Sequence, residues 1–291
     1  MDAIPGPRSP REARGFTLIE IVVVLFILGV AISMAAAITT ALLASQKLTL
    51  TTTRLAAVDT ALVQFVMQQK RLPCPADGTL DSTNANAGQE VTPNAAGCAT
   101  NEAGGVVPWV PLGLTESDVT DGWNRRFTYR IDPTLAGTAA LDMSSCDPAG
   151  TGGLVGTACN TACSSGSLGS CTPPATFLLN KGLKVRNVAG TTVMDPTIAA
   201  APTGAAYVLV SPGSTGGGGY LSSGRLSTST VTDGTQEQKN YANLGYTAGT
   251  TYYVDDSISD ASGATHFDDI ISRPALLTVI NRAGLGPRSH S

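Results

Sequence analysis

Charge is scarce in this chain: only 14% of its 291 residues are Asp, Glu, Lys or Arg, and aromatic residues make up 5%. With a net charge of -4 and no interleaving of basic with aromatic residues, it offers neither the electrostatic footprint of a nucleic-acid binder nor a stacking platform for single strands. Nucleic acid is therefore not an expected partner. Histidine is nearly absent, with only His266 and His290. No Cys-x-x-Cys pair, no nucleophile-elbow motif and no EF-hand run of spaced aspartates occurs, and no Gly-Lys-Ser/Thr follows the glycine run 216–219. That run reads as a flexible hairpin or loop. His266 with Asp268 and a serine would be the only catalytic arrangement to imagine, but a lone histidine in a polar loop reads as exposed, and no enzyme is expected. Arg125, Arg126 and Arg130 read as a small solvated or interface patch.

Helix breakers are missing from one long stretch. The chain holds 32 glycines and 17 prolines, yet none lies between Gly29 and Leu72. The spacing predicts a helix from Phe16 to about Arg71, roughly 80 Å at about 1.5 Å per residue. From Ile21 to Ile38 the only polar side chain is Ser33, giving about 18 residues, the lower end of a membrane-spanning helix. Further on, Leu48, Thr51, Leu55, Val58, Leu62, Phe65, Val66 and Gln69 recur at three- and four-residue intervals, with Lys47, Arg54, Asp59 and Lys70 placed elsewhere. Such a stripe needs a partner surface, and the chain's own downstream sheet is the expected one. Leu72-Pro73-Cys74-Pro75 stops the helix.

All six cysteines, Cys74, Cys98, Cys146, Cys159, Cys163 and Cys171, fall beyond the apolar run. An even count on one side of it predicts disulfides in an oxidising compartment rather than zinc or free thiols. Cys74 and Cys98 are expected to tie the loop region 76–105. Residues 132–175 hold the other four among Gly, Ser, Thr and Pro and read as an insertion with its own bridges. Cys159–Cys163 with Cys146–Cys171 is one pairing among those that sequence leaves open.

Ahead of the apolar run stands Arg14-Gly15-Phe16-Thr17-Leu18-Ile19-Glu20. Residues 1–15 carry Arg8, Arg11 and Arg14 with Pro5, Pro7 and Pro10, and read as an unstructured leader, cytoplasmic by the positive-inside rule. The apolar run could be a simple signal-anchor, or a secretory signal peptide cut at Ala35-Ala36-Ala37. Neither gains from Glu20, since a charge within such a segment costs a few kcal/mol on insertion scales. A small residue, an aromatic and an acid four residues on resemble the processing site of the type IV pilin and pseudopilin superfamily. The resemblance implies that a prepilin peptidase cuts between Gly15 and Phe16 and methylates the new amino terminus. It also implies that Glu20 pairs with the terminal amine of a neighbouring subunit as the helices bundle. A buried lone charge is expensive and a matched pair is tolerated, so such a pair sets register.

Downstream, Asp121-Gly122-Trp123-Asn124 reads as a turn feeding a strand over 126–131, with Phe127, Tyr129 and Ile131 on one buried face. The apolar but proline-broken stretch 106–114 is not expected to be a central strand. Further strand-like patches are Thr176–Leu179, Leu183–Val188 and Ala206–Ser211, and Pro274 opens a short helix through Ile280, closed by Gly284. The turn at 121–124 with Tyr129, and Tyr207-Val208-Leu209-Val210-Ser211-Pro212-Gly213, resemble the core of the major pseudopilin of type II secretion. That family has a glycine between the tryptophan and the asparagine, which this chain lacks. The insertion and a length about twice that of such a pseudopilin point to a minor or specialised member.

Asp255, Asp256, Asp260, Asp268 and Asp269 cluster near the end. Oxygen ligands on a loop suit Ca²⁺, and the resemblance implies a calcium site in the carboxy-terminal loop; the bland reading is a solvated acidic loop. The expected fold is α+β and pilin-like: leader 1–15, helix 16–71 (transmembrane over 16–38, amphipathic over 39–71) packed on an antiparallel sheet, and a globular domain 72–291 with disulfide-tied loops. The resemblance implies a single-pass inner-membrane protein with a periplasmic domain, which assembles through its helix into a type II secretion-type filament. The rivals are a minor type IV pilin acting in priming, adhesion or DNA uptake, and a membrane-anchored periplasmic binding module that never polymerises.

Overall fold

The first helix, α1, runs Leu18–Gln69. The structure, a computed structural model, describes residues 17–98, 104–144, 176–228, 234–242, 250–259, 263 and 265–286, without the side chains of 35–38, 40 and 242. The chain divides into two units, Met1–Gln46 and Lys47–Ser291. In the first, every described side chain is exposed, including Leu25, Phe26 and Ile32. Among the described residues no helix is long and apolar enough to cross a membrane. Of the expected span 16–38, Phe16 and the side chains of 35–38 lie outside the description.

In the second unit α1 becomes one-sided. Thr51, Leu55, Val58, Leu62, Phe65 and Val66 are buried as their spacing predicts, joined by Ala61 and Val63, whereas Leu48 and Gln69 at the ends of the stripe stay exposed. Leu55, Val58, Leu62, Val63 and Val66 share one core with Tyr129, Tyr207 and Leu209. The helix ends with Lys70 in the left-handed region (φ 57°) before Pro73 and Pro75. The Lys70 ammonium meets Asp142 at 2.6 Å, and Arg71 grips Glu90 through two nitrogens at 2.8 and 2.9 Å.

The partner surface is an antiparallel sheet of five short strands: β1 (Ala76–Asp77), β4 (Gly105–Val106), β5 (Thr128–Ile131), β8 (Tyr207–Ser211) and β10 (Ile270–Ser272), in that spatial order. A two-stranded ribbon joins β2 (Pro93–Asn94) to β3 (Gly97–Cys98). A separate sheet has the order β7 (Thr192–Met194), β6 (Lys184–Arg186), β9 (Tyr252–Val254), with β6 and β9 parallel. Strand β8 is buried throughout. Successive side chains of a strand point to opposite faces, so Tyr207 and Leu209 enter the helix-side core while Val208 and Val210 enter a second core with Leu183, Val185 and Tyr253. Two short 3-10 helices, Glu116–Val119 and Pro133–Ala136, and the helices α2 (Lys239–Ala242) and α3 (Leu276–Arg282) complete the described elements. Leu276, Val279 and Ile280 of α3 join the helix-side core, and Gly284 follows it with a φ of 71°.

Four expectations need correction. Residues 176–179 form turns rather than a strand. The strand β5 is buried on both faces, not one. The arginines near it are the reason, and they are not a solvated patch. Arg126 is 1% exposed; it pairs with Glu116 at 2.7 Å, donates to the carbonyls of Gly78 and Leu80, and lies over the Trp109 ring. Arg130 donates to the Gly105 carbonyl and Arg125 to that of Gly213. Loop carbonyls that would be costly to bury unpaired are thus satisfied from the strand's polar face. The glycine run is likewise close-packed: a Cβ on Gly216 would strike Arg125, and one on Gly218 would strike Tyr241.

The turn 121–124 is where helix and sheet are joined. The Asp121 carboxylate, 1% exposed, accepts from the backbone N–H of Trp123 and Arg125 and from the Ser211 hydroxyl at 2.8 Å. Gly122 donates to Thr51 Oγ1 at 2.9 Å, and a Cβ there would lie 2.5 Å from the Lys47 carbonyl of α1. Asn124 takes the left-handed conformation, φ 64°, which asparagine tolerates better than most residues. The backbone freedom that a glycine between Trp123 and Asn124 would offer is therefore not needed.

The bond Cys74–Cys98 forms as expected and ties the end of α1 to β3. Cys146, Cys159, Cys163 and Cys171 lie outside the described residues. Replacing Arg126 by Lys should destabilise the fold by about 3 kcal/mol, because one ammonium cannot serve Glu116, two carbonyls and the Trp109 face together. Urea unfolding of the detergent-solubilised chain checks this, and an unchanged midpoint would contradict the role given to Arg126.

Candidate functional site

The four described carboxy-terminal aspartates, Asp255, Asp256, Asp268 and Asp269, do not converge on one point. Asp255 pairs with Arg273 at 2.5 Å. Asp256 is exposed and accepts from the backbone N–H of Val188 and Ser257. Asp269 is buried and accepts from Asn240 Nδ2 at 2.7 Å; Asn240 also exchanges hydrogen bonds with the Val254 backbone, closing the edge of β9. Asp260 lies outside the described residues. Asp268 instead meets two residues from elsewhere, Glu237 and His266, all three buried, with one donor atom from each within 4.8 Å of the others. His266 is thus a buried residue, 9% exposed, and not the solvated loop histidine the sequence implied. Its Nε2 lies 3.8 Å from Asp268 Oδ1 and has no hydrogen-bond partner among the described residues. Ser214 donates to Asp268 rather than to His266, so no nucleophile-to-base hydrogen bond forms in this group.

At the other end of the chain, Gly15 and Phe16 lie outside the described residues, while Thr17 and Glu20 are visible. Thr17 Oγ1 accepts from the Glu20 N–H at 3.3 Å, and Glu20 Oε2 accepts from both the Thr17 N–H and its hydroxyl at 3.2 Å. This reciprocal pair is a capping box, in which the residue before the helix and the third residue within it satisfy each other's unpaired donors. Thr17-Leu18-Ile19-Glu20 carries the Thr-x-x-Glu spacing of that motif, a local signal by which the cap is legible from sequence. Glu20 also places a negative charge at the positive end of α1. Exposed apolar side chains flank it, Leu18 and Ile19 before and Ile21 onward after.

Residues 10–36 match the family model of the prokaryotic N-terminal methylation motif. They form a prepilin-type cleavage and methylation segment. Neither a curated protein nor a solved structure shows a significant match to the chain. The prepilin-type segment indicates a type IV pilin-like or pseudopilin protein, structural in kind, processed by prepilin peptidase and assembled with other pilin subunits. It covers the residues just ahead of α1 and the first part of that helix, and leaves the buried group at the far end of the chain without an assigned role.

Glu237 is unusual electrostatically. Burial, reinforced by the neighbouring Asp268 carboxylate and opposed by the Asp268 backbone N–H, pushes its carboxyl from 4.5 to about 7. Burial also works against ionising Asp268, but donation from Ser214 and from the Thr215 N–H and hydroxyl outweighs it and holds that carboxyl below its usual range. The pair therefore retains a proton on Glu237 over the mildly acidic range. A carboxyl whose folded value is raised binds more protons folded than unfolded, so its contribution is complete below pH 4.5 and is lost as pH rises through about 7. In the metal-free chain, Glu237→Gln keeps the neutral form at every pH. Its melting temperature relative to the parent chain should climb between pH 5 and pH 8; a pH-independent offset would contradict the assignment.

Proposed function

We propose that the chain is a pseudopilin-type structural subunit of a type II secretion-type periplasmic filament. The observation that carries this reading is the prepilin-type segment at residues 10–36 leading into a helix whose first part exposes apolar side chains on all sides. Water is a poor solvent for such a surface, and a lipid bilayer before assembly and neighbouring helices after it are the two environments that would cover it. In this reading residues 16–38 sit in the inner membrane with the rest of the chain in the periplasm, as the outside-only cysteines and the Cys74–Cys98 bond support. The length and the insertion at 132–175 favour a specialised subunit over the bulk filament subunit, and a minor type IV pilin shares these features.

Mass spectrometry of the mature chain tests processing: an N-methylated Phe16 is expected, and a start after Ala37 would mean ordinary signal-peptide cleavage. The Glu20 role separates into two parts. Glu20→Gln keeps an acceptor for the Thr17 cap and loses only the charge, whereas Glu20→Ala loses both. If a charged pair between subunits drives assembly, both variants should be processed normally and both should fail to cross-link into filaments. Filaments formed by the Gln variant at the parent level would reduce Glu20 to a helix cap.

A further inference from the structure

We propose that Glu237, His266 and Asp268 form a binding site for a divalent transition-metal ion of the Zn²⁺ type. The donors come from two places in the chain: Glu237 just before α2, and His266 and Asp268 just before β10 on either side of Phe267. Their exposures are 2%, 9% and 5%. An unpaired, buried imidazole nitrogen is unusual, because a donor or acceptor removed from water normally finds a partner. The 3.8 Å from His266 Nε2 to Asp268 Oδ1 is too long for a hydrogen bond. Two ligands held at about 2.0–2.2 Å by one tetrahedral ion lie roughly 3.3–3.6 Å apart, so a closure of a few tenths of an ångström would seat an ion between them.

The donor set selects the metal. One imidazole nitrogen with two carboxylates suits Zn²⁺ or a neighbouring first-row ion, whereas Ca²⁺ takes six to eight oxygens. Both carboxylates are already oriented. Ser214 and Thr215 hold Asp268 through three hydrogen bonds, and the Gly234 and Asp268 N–H groups hold Glu237. Such outer hydrogen bonds fix ligands in metal sites. A bound ion would clamp the approach to α2, the approach to β10 and the turn after β8 together, stiffening the carboxy-terminal part of the sheet. The site uses only one of the five aspartates first considered for calcium, so its failure and that of a calcium loop are separate results.

The test uses the full chain without a histidine tag, in mild detergent, stripped with a chelator and shown to be free of titratable thiol. Calorimetric titration with Zn²⁺ should give one ion per chain and a raised melting temperature, with no displacement by a large excess of Ca²⁺. His266→Gln and Glu237→Gln should each weaken Zn²⁺ binding by about tenfold or more. Nitrogen-detected spectra of the parent chain give a readout that does not depend on a variant folding: the His266 ring signals should shift on Zn²⁺ addition while those of His290 stay in place. The absence of a saturable site, undiminished affinity in His266→Gln, unmoved His266 ring signals, or ready displacement by Ca²⁺ would each overturn the proposal.

Discussion

The domain depends on a single buried carboxylate. Asp121 is nearly sealed from water, a position in which burial alone raises its pKa. It is kept there by hydrogen bonds that link two distant stretches of chain: the turn it begins, through the Trp123 and Arg125 N–H groups, and the end of β8, through Ser211. The same turn touches α1, because Gly122 has no Cβ to hold it off Lys47 and its N–H reaches Thr51. Helix, central strand and turn are thereby fixed by one acid, one glycine and two hydroxyls. Hydrophobic burial supplies most of the driving force but is non-directional; these polar contacts settle which part of α1 faces which strand.

A chain with so little charge places much of it inside. Arg126, Arg130, Asp121, Asp132 and Asp268 are all buried, and most of their hydrogen bonds go to backbone groups. This follows from the shortness of the strands. Sheets built from two- to five-residue strands leave many loop carbonyls and amides outside any ladder, and buried groups of that kind need partners. Arginine reaches several carbonyls at once, and aspartate gathers several N–H groups, as Asp132 does for Thr134 and Gly182. The arginines next to β5 are therefore the means by which a loop-rich domain closes over its own backbone.

Sequence periodicity revealed α1, its buried stripe and its stop, because breakers and apolar spacing are local signals. The unbroken apolar run 207–210 likewise marked β8, and Pro274 with Gly284 bracketed α3. What it missed was non-local. The alternation of Phe127, Tyr129 and Ile131 gave one buried face correctly, but nothing in that pattern says that loops will cover Arg126, Thr128 and Arg130. The strands β7, β9 and β10 are three residues each, too short for alternation to register. At the acidic end, composition grouped five aspartates, of which the four described ones are distributed among Arg273, backbone N–H groups, Asn240 and the buried group of Asp268. Glu237 stands 31 residues before Asp268, with no spacing signal to join them.

The capping box at Thr17–Glu20 bears on how one carboxylate can serve two purposes. A carboxylate has about four acceptor positions, and within the chain Glu20 uses one oxygen, Oε2, for the N–H and hydroxyl of Thr17. Oε1 takes no part in that cap. A terminal amine brought up by a neighbouring chain could therefore bind Glu20 without dismantling the start of α1, and the cap would hold the carboxylate still while it did so. Pre-orienting one partner lowers the entropy lost on association. The cap thus accounts for an acid at the edge of an apolar run within one chain, and under the proposed assembly it leaves Oε1 to meet a charged partner.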